Sequence, residues 1–330
     1  MNKCLLSILM CGTFLLLMAF PTTAQTLKRT GSAGFTFLEL PATARQAAMG
    51  DAYSALGGVT DASGIFINPA VLGYVTGPTF SLSYGTWLVE TNHQTAAFAY
   101  GMGSAGSIGL SFIRFDGGDI QGAVADATLM QGYRKTGTYN FGSYAIGPSY
   151  GLRMTDRFSF GATVRYVQEG ISNVSEVARG SSFNAHNFLA EVGTLYYTGF
   201  GSLRFATNVQ SIGFDSQYEA DAFQAPVVYR LGAAYDFFDT PDSPAKLTAI
   251  IEAIHPTDAT EKVLVGGELW IKNMIALRGG YKFDFDEEGV TAGIGLKFDM
   301  GKGRPIGVDF AYVDYGRFDS ITRFSLNFGM

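Results

Sequence analysis

Two kinds of side chain alternate in the segment Ser320–Met330. Phe324, Leu326, Phe328 and Met330 fall on one side, and Arg323, Ser325, Asn327 and Gly329 on the other. Successive side chains of a strand point to opposite faces, so this is a strand with one oily and one polar face. Val290–Met300 repeats the pattern, with Val290, Ala292, Ile294, Leu296, Phe298 and Met300 opposing Thr291, Gly293, Gly295, Lys297 and Asp299. Within Ala225–Phe238, Tyr229, Leu231 and Tyr235 oppose Arg230 and Asp236. Within Arg157–Glu169, Phe158, Phe160, Val164 and Tyr166 oppose Thr163 and Arg165. About fourteen such segments run from Thr79 to Met330, near the 9–11 residues that a tilted membrane strand needs.

A soluble sandwich would have to turn all these oily faces toward each other. The pattern instead predicts an all-β fold: an antiparallel transmembrane β-barrel of about 14 strands, with its oily face on lipid and its polar face lining the lumen. The inward set contains Arg165, Glu191, Arg204, Arg230, Glu252, Glu268, Arg278, Lys297, Asp309 and Arg323. Its mixed sign allows pairing across the lumen. Connections alternate between short ones, such as Lys272-Asn273 and Gly103-Ser104-Ala105, and long ones, such as 116–140, 170–183 and 211–224. Outer-membrane barrels have short periplasmic turns and long outside loops, so both ends of the barrel are expected in the periplasm.

Met1–Ala24 has the form of a secretory signal, with Lys3, the apolar run Leu5–Phe20 and small residues before Gln25. Cys4 and Cys11 both fall inside it, so the remainder has no thiol and no disulfide or thiolate metal site. That remainder carries 22 basic and 29 acidic residues, a net charge of −7, which argues against nucleic acid as a partner. Only 16% of residues are charged against 14% aromatic, with 42 glycines. Soluble domains carry about 25% charged residues, so this balance suits lipid as the main partner of the outer wall.

Residues 25–77 do not alternate and precede the barrel of residues 78–330. Ala42–Ala55 is rich in small residues and helix-compatible, broken at Gly50. Asn68-Pro69-Ala70 reads as a helix start, because Asn is a favoured cap and Pro suits the first helical position. A segment of this length is expected to occupy the barrel as a plug or hatch, the alternative being a periplasmic extension packed under the barrel.

In this segment Leu40-Pro41, Ala44-Arg45, Met49-Gly50-Asp51, Asp61 and Asn68-Pro69-Ala70 resemble the opening of the PorV/PorQ family, which lies within the barrels resembling long-chain fatty-acid (FadL-like) transporters. Asn273–Lys282 and Asp309–Gly316 continue the likeness. Val71 departs from it, standing where the wider group tends to have Gly. The resemblance implies a fourteen-stranded outer-membrane barrel with an N-terminal hatch, in a Gram-negative-type envelope. It also implies kinship with components of type IX secretion that dock cargo or partner proteins. The alternative that it implies is a plugged channel for passive uptake of hydrophobic small molecules. A transporter is expected to show a continuous apolar pocket between the hatch and the wall, and a docking protein a filled lumen with apolar outer loops.

Other motifs point away from chemistry. Gly101–Gly106 matches G-x-G-x-x-G, yet a strand rather than a helix follows it. Asp284–Gly289 begins like a calcium loop but has Gly295 where the closing Glu belongs. His93, His186 and His255 fall near strand ends and are expected as solvated rim residues, not metal ligands. With no nucleophile beside a recognisable base, the chain is expected to be no enzyme and to need no cofactor.

Overall fold

The structure, a computed structural model, describes residues 31–172, 183–218, 221–240, 243–299, 301 and 305–329. The segment read as a signal lies outside these. Fourteen strands form one closed antiparallel barrel. They are β1 (Pro78–Thr86), β2 (Asn92–Gly101), β3 (Ser107–Ala125), β4 (Tyr133–Arg153), β5 (Phe158–Ser172), β6 (Phe183–Tyr197) and β7 (Arg204–Ile212). The second half comprises β8 (Val228–Phe237), β9 (Ala245–Pro256), β10 (Lys262–Ile271), β11 (Ile275–Phe283), β12 (Val290–Asp299), β13 (Pro305–Val313) and β14 (Ile321–Gly329). The last strand pairs with the first, from Thr79↔Gly329 to Gly85↔Arg323, so no strand edge is left open.

Face parity follows the alternation. Leu82, Leu231 and Phe324 are 50%, 58% and 55% exposed, whereas their inward neighbours Ser81, Arg230 and Arg323 are buried. This exposed oily wall is unfavourable in water and stable in lipid. At one end the turns are tight. Lys272 and Asn273 both have positive φ (49° and 52°), and Met274 N–H donates to the Ile271 carbonyl at 3.0 Å. That is the mirror-image two-residue turn that matches strand twist.

The other end carries the long connections. There 116–140 is not the irregular loop expected. Strand pairing continues past the barrel from Asp119↔Asn140 to Ala125↔Tyr133, with register shifts at Asp116/Asp119 and Gln121/Ala123. The ribbon closes where Asp126 N–H donates to the Gly132 carbonyl at 2.9 Å and the Asp126 carboxylate accepts from Thr128 N–H at 3.0 Å. Beyond the oily wall both faces meet solvent, so the alternation that marks the other strands fades while the pairing persists.

Residues 31–77 enter at the long-loop mouth and pass through the barrel, with residues 42–44, 46–56 and 62–72 buried in its lumen. Their one α-helix, α1 (Ala44–Ala48), is capped by Thr43, whose hydroxyl accepts from Gln46 N–H at 3.3 Å. Two 3₁₀ turns follow, Ala62–Phe66 capped by Asp61 and Pro69–Tyr74 capped by Asn68. The segment makes a descending circuit of the inner wall. Ala33 pairs with Gln224 at the long-loop mouth, and Ala44 N–H donates to Ser325 of β14 at 2.7 Å. Thr291 of β12 donates to the Ala48 carbonyl at 2.9 Å. The path then runs past β11, β9 and β7 to Asn68 at β6, and ends where Ser107 of β3 donates to the Val75 carbonyl at 3.2 Å. Its first described residues are therefore at the opposite end of the barrel from Gly329, whereas the two ends of the barrel itself, at Thr79 and Gly329, lie side by side at the short-turn end as the even strand count predicts.

Two wall glycines admit this close approach. A Cβ at Gly280 would stand 2.3 Å from Gly50 N, and one at Gly161 would stand 2.3 Å from the Pro69 carbonyl oxygen. Val71, the departure from the wider group, packs against another bare position: a Cβ on Gly64 would lie 2.2 Å from its Cγ2.

Candidate functional site: the occupied lumen

The inward charges pair along the wall and catch the inner segment at the same time. Arg230 of β8 donates to Glu252 of β9 at 2.7 Å. The other Glu252 oxygen accepts from Tyr53 N–H, Ser54 N–H and Ser54 Oγ at 3.1, 2.8 and 2.6 Å. Arg204 grips Asp236 at 2.9 and 3.0 Å and donates its Nε–H to the Ala55 carbonyl at 2.7 Å. Arg165 pairs with Glu191 and donates to the Ile65 carbonyl at 3.0 Å. These anchors satisfy backbone groups that a non-helical segment would otherwise bury without partners.

Nearer the short turns, Arg45 clasps Glu268 with two bonds of 2.8 and 2.7 Å. Arg278 adds a bond to Glu268 at 2.7 Å and reaches Asp309 at 2.6 Å, and Asn327 donates to Asp309 at 3.1 Å. This chain of buried groups borders a cavity of about 390 Å³ at the short-turn end, which Asp61, Thr79, Trp270 and Lys297 also line. Its wall is mixed, with Trp270, Leu296 and Phe328 beside the charged groups. Neither this cavity nor the smaller one beside Ala33, Gln224 and Asp258 is a continuous apolar pocket between the inner segment and the barrel wall.

The long-loop mouth holds an aromatic cluster beside polar groups such as Asp215, Gln224 and Asp258. Phe35 packs on Phe223 with ring centroids 5.4 Å apart, and Phe223 stacks on Tyr218 at 5.2 Å. Burial and then the Glu169 carboxylate, which accepts its hydrogen bond, raise the pKa of the Tyr218 hydroxyl. The barrel thus has an aromatic cluster at its outer mouth, a charged middle and an inner vestibule of mixed polarity.

The residues singled out in the sequence fall at different levels of this column. Asn68 accepts from Ala70 N–H at 3.0 Å and donates to the Ser54 and Thr194 carbonyls at 2.9 and 3.1 Å. Pro69 and Ala70 open the turn that it caps. Ala44 and Gly50 meet the wall through backbone atoms, and Arg45 and Asp61 reach the vestibule. Leu40 and Pro41 lead into α1, with Leu40 half-buried and Pro41 buried.

His93 is not a rim residue. It is 1% exposed, and its Nδ1 lies 2.9 Å from Arg323 Nη2 beneath the segment's Ala42. Parity places it inward, as it does Arg323, but its burial comes from a segment distant in sequence. The same holds for Glu252: its inward face was legible, its grip on Tyr53 and Ser54 was not.

No protein-family model matches the sequence, and no curated protein does. Solved structures share the fold. The Ralstonia pickettii toluene transporter TbuX superposes with a TM-score of 0.60 over 88% of this chain and 98% of its own, at 14% identity. The CymD monoaromatic hydrocarbon channel gives 0.59 over 87% and 96% at 10% identity. A Pseudomonas aeruginosa FadL homologue gives 0.55 over 87% and 97% at 9% identity. The chain is a closed β-barrel of the kind found in outer-membrane proteins, and its architecture is FadL-like. The narrower PorV/PorQ likeness has no counterpart in these comparisons.

Proposed function

We propose that this chain is an outer-membrane channel for passive uptake of small hydrophobic molecules, gated by residues 31–77. The observation that carries the reading is the combination of a lipid-facing barrel with a lumen-filling segment, in an architecture shared end to end with transporters of toluene and other monoaromatic hydrocarbons. Solute enters past the aromatic cluster of Phe35, Phe223 and Tyr218, where an oily molecule replaces ring–ring contacts at little loss. Passage therefore requires the segment to shift, because its buried side chains occupy the lumen.

The test is uptake of radiolabelled toluene by cells expressing the chain against cells with an empty vector, with surface expression verified. Faster uptake that is lost on disulfide-locking Ala33→Cys to Gln224→Cys supports the reading. Uptake indistinguishable from the empty vector overturns it.

A second reading, docking of partner or cargo proteins as in type IX secretion, draws on the filled lumen and on bare apolar tips at the long-loop end. Met130, Val89 and Phe214 stand almost fully exposed there. Replacing Met130 and Phe214 by Ser leaves hydrocarbon uptake intact under the first reading. Under the second it removes cargo from the cell surface.

A further inference from the structure

On the outer wall, away from the lumen, two recesses adjoin at Phe112. The first, about 550 Å³, is centred on Ala96, whose small side chain sits in a row of larger ones. Register places Leu82 opposite Ala96 and Ala96 opposite Phe112, and carries the row on through Leu326 to Val308. Phe324 and Tyr84 form its walls. All of these point outward. The second recess, about 330 Å³, opens at Gly142 of β4, between Phe112, Arg114, Asp116, Asn140 and Tyr144. A Cβ at Gly142 would meet nothing nearer than 3.5 Å, so the notch is empty space and not a tight contact.

The recesses differ in chemistry and in level. Ladder rows run perpendicular to tilted strands, so they climb diagonally around a barrel. Phe112 stands further along its strand from the short turns than Val308 does along β13. The Ala96 groove therefore descends from Phe112 into the oily belt, and the Gly142 notch lies above it toward the long loops. At the notch, Arg114 Nη2 lies 3.2 Å from Asp116 Oδ2, with side chains 54% and 31% exposed. Tyr144 donates to Gln168 at 2.8 Å alongside. An outward Arg is unfavourable deep in hydrocarbon but well placed at a headgroup.

We propose that this wall is a docking site for one membrane phospholipid with a phosphate–ammonium headgroup, phosphatidylethanolamine. An acyl chain lies in the Ala96 groove, the phosphate meets Arg114 and the ammonium meets Asp116. Charge complementarity selects this head. A purely anionic head would satisfy Arg114 but face the Asp116 carboxylate, and a quaternary ammonium has no N–H to give Asp116. The inference rests on the membrane placement of the barrel and not on the transport reading, so failure of one leaves the other standing.

The test is native mass spectrometry of the full chain released from nanodiscs containing equal phosphatidylethanolamine, phosphatidylglycerol and phosphatidylcholine. Wild type retains phosphatidylethanolamine about tenfold over the others, the ratio that one charged hydrogen bond supplies. Arg114→Gln removes the preference, and Gly142→Leu, which fills the notch without touching a charge, does the same. Tyr281→Gln on another part of the wall leaves it unchanged. Heat-modifiable gel mobility verifies that each variant is folded. Equal retention of the three lipids by wild type overturns the proposal, as does a preference that survives both notch variants. Selective retention of lipid A, added in a parallel set of nanodiscs, also overturns it.

Discussion

At the scale of single residues, adjacent positions on one strand live in different solvents. Leu296 of β12 faces lipid, and Leu296→Arg is expected to lower folding stability by about 2–4 kcal/mol near the midplane. Lys297 beside it faces the vestibule, half-buried, and Lys297→Gln should stay within about 0.5 kcal/mol. Urea titration of folding into lipid vesicles measures both; equal losses would mean that the face assignment is wrong. Parity by itself makes Gly295→Ser look mild as well, yet a Cβ there would lie 2.5 Å from Asp309 Oδ1 and 2.6 Å from Arg278 Nη1. Facing the lumen is not the same as having room. Glu252→Ala should cost about 2–3 kcal/mol, because it leaves the buried Arg230 guanidinium with Asp51 at 3.6 Å as its charge partner and also releases Tyr53 and Ser54. The inward direction of Arg230, Glu252 and Glu268 was legible from alternation alone. Their partners were not, because Glu252 and Tyr53 meet only after the whole barrel has closed.

At the scale of elements, what the sequence betrays depends on the solvent on each side of the strand. Strands with lipid outside and charge inside, such as β12 and β14, announce themselves residue by residue. The β3–β4 ribbon beyond Asp116 has water on both faces, so Asp119, Gln121 and Thr136 carry no alternating signal although the strands are paired. An epitope tag inserted at Thr128 in the ribbon's turn should be bound by antibody on intact cells; binding only after permeabilisation would invert the orientation. Asn68-Pro69 was legible as a capped start and opens the 3₁₀ turn Pro69–Tyr74, whereas the caps at Thr43 and Asp61 carried no such signal. Asn68→Ala removes a cap, at about 1 kcal/mol, and two further hydrogen bonds to the Ser54 and Thr194 carbonyls. The expected loss is about 2–3 kcal/mol of local stability, seen as faster hydrogen exchange over residues 62–75 with little change in the barrel strands. Uniform acceleration across all strands would mean that the segment and the wall unfold together.

At the scale of the molecule, the order of pairing decides what happens when the segment leaves. Four sets of buried charges are held between neighbouring strands or one strand apart: Arg165 with Glu191, Arg204 with Asp236, Arg230 with Glu252, and Arg278 with Glu268 and Asp309. Each keeps its wall partner without residues 31–75. The segment contributes Arg45 and Asp51 to these pairs, and its removal leaves Glu268 with Arg278 and Arg230 with Glu252. The wall is therefore expected to stand alone, with water replacing the backbone groups that Arg204 and Glu252 now hold. Deleting residues 31–75 should leave heat-modifiable gel mobility intact and raise single-channel conductance in planar bilayers well above that of the full chain. The mixed-sign lining predicts weak ion selectivity in the opened pore, because cations and anions each pass paired charges and not a ring of one sign. Unchanged conductance with the barrel folded would mean that another element seals the pore, and the gate would then have to be sought among the long loops. A rise in conductance without hydrocarbon uptake by the full chain would make the segment a permanent seal, and the apolar tips at Met130 and Phe214 would become the functional surface.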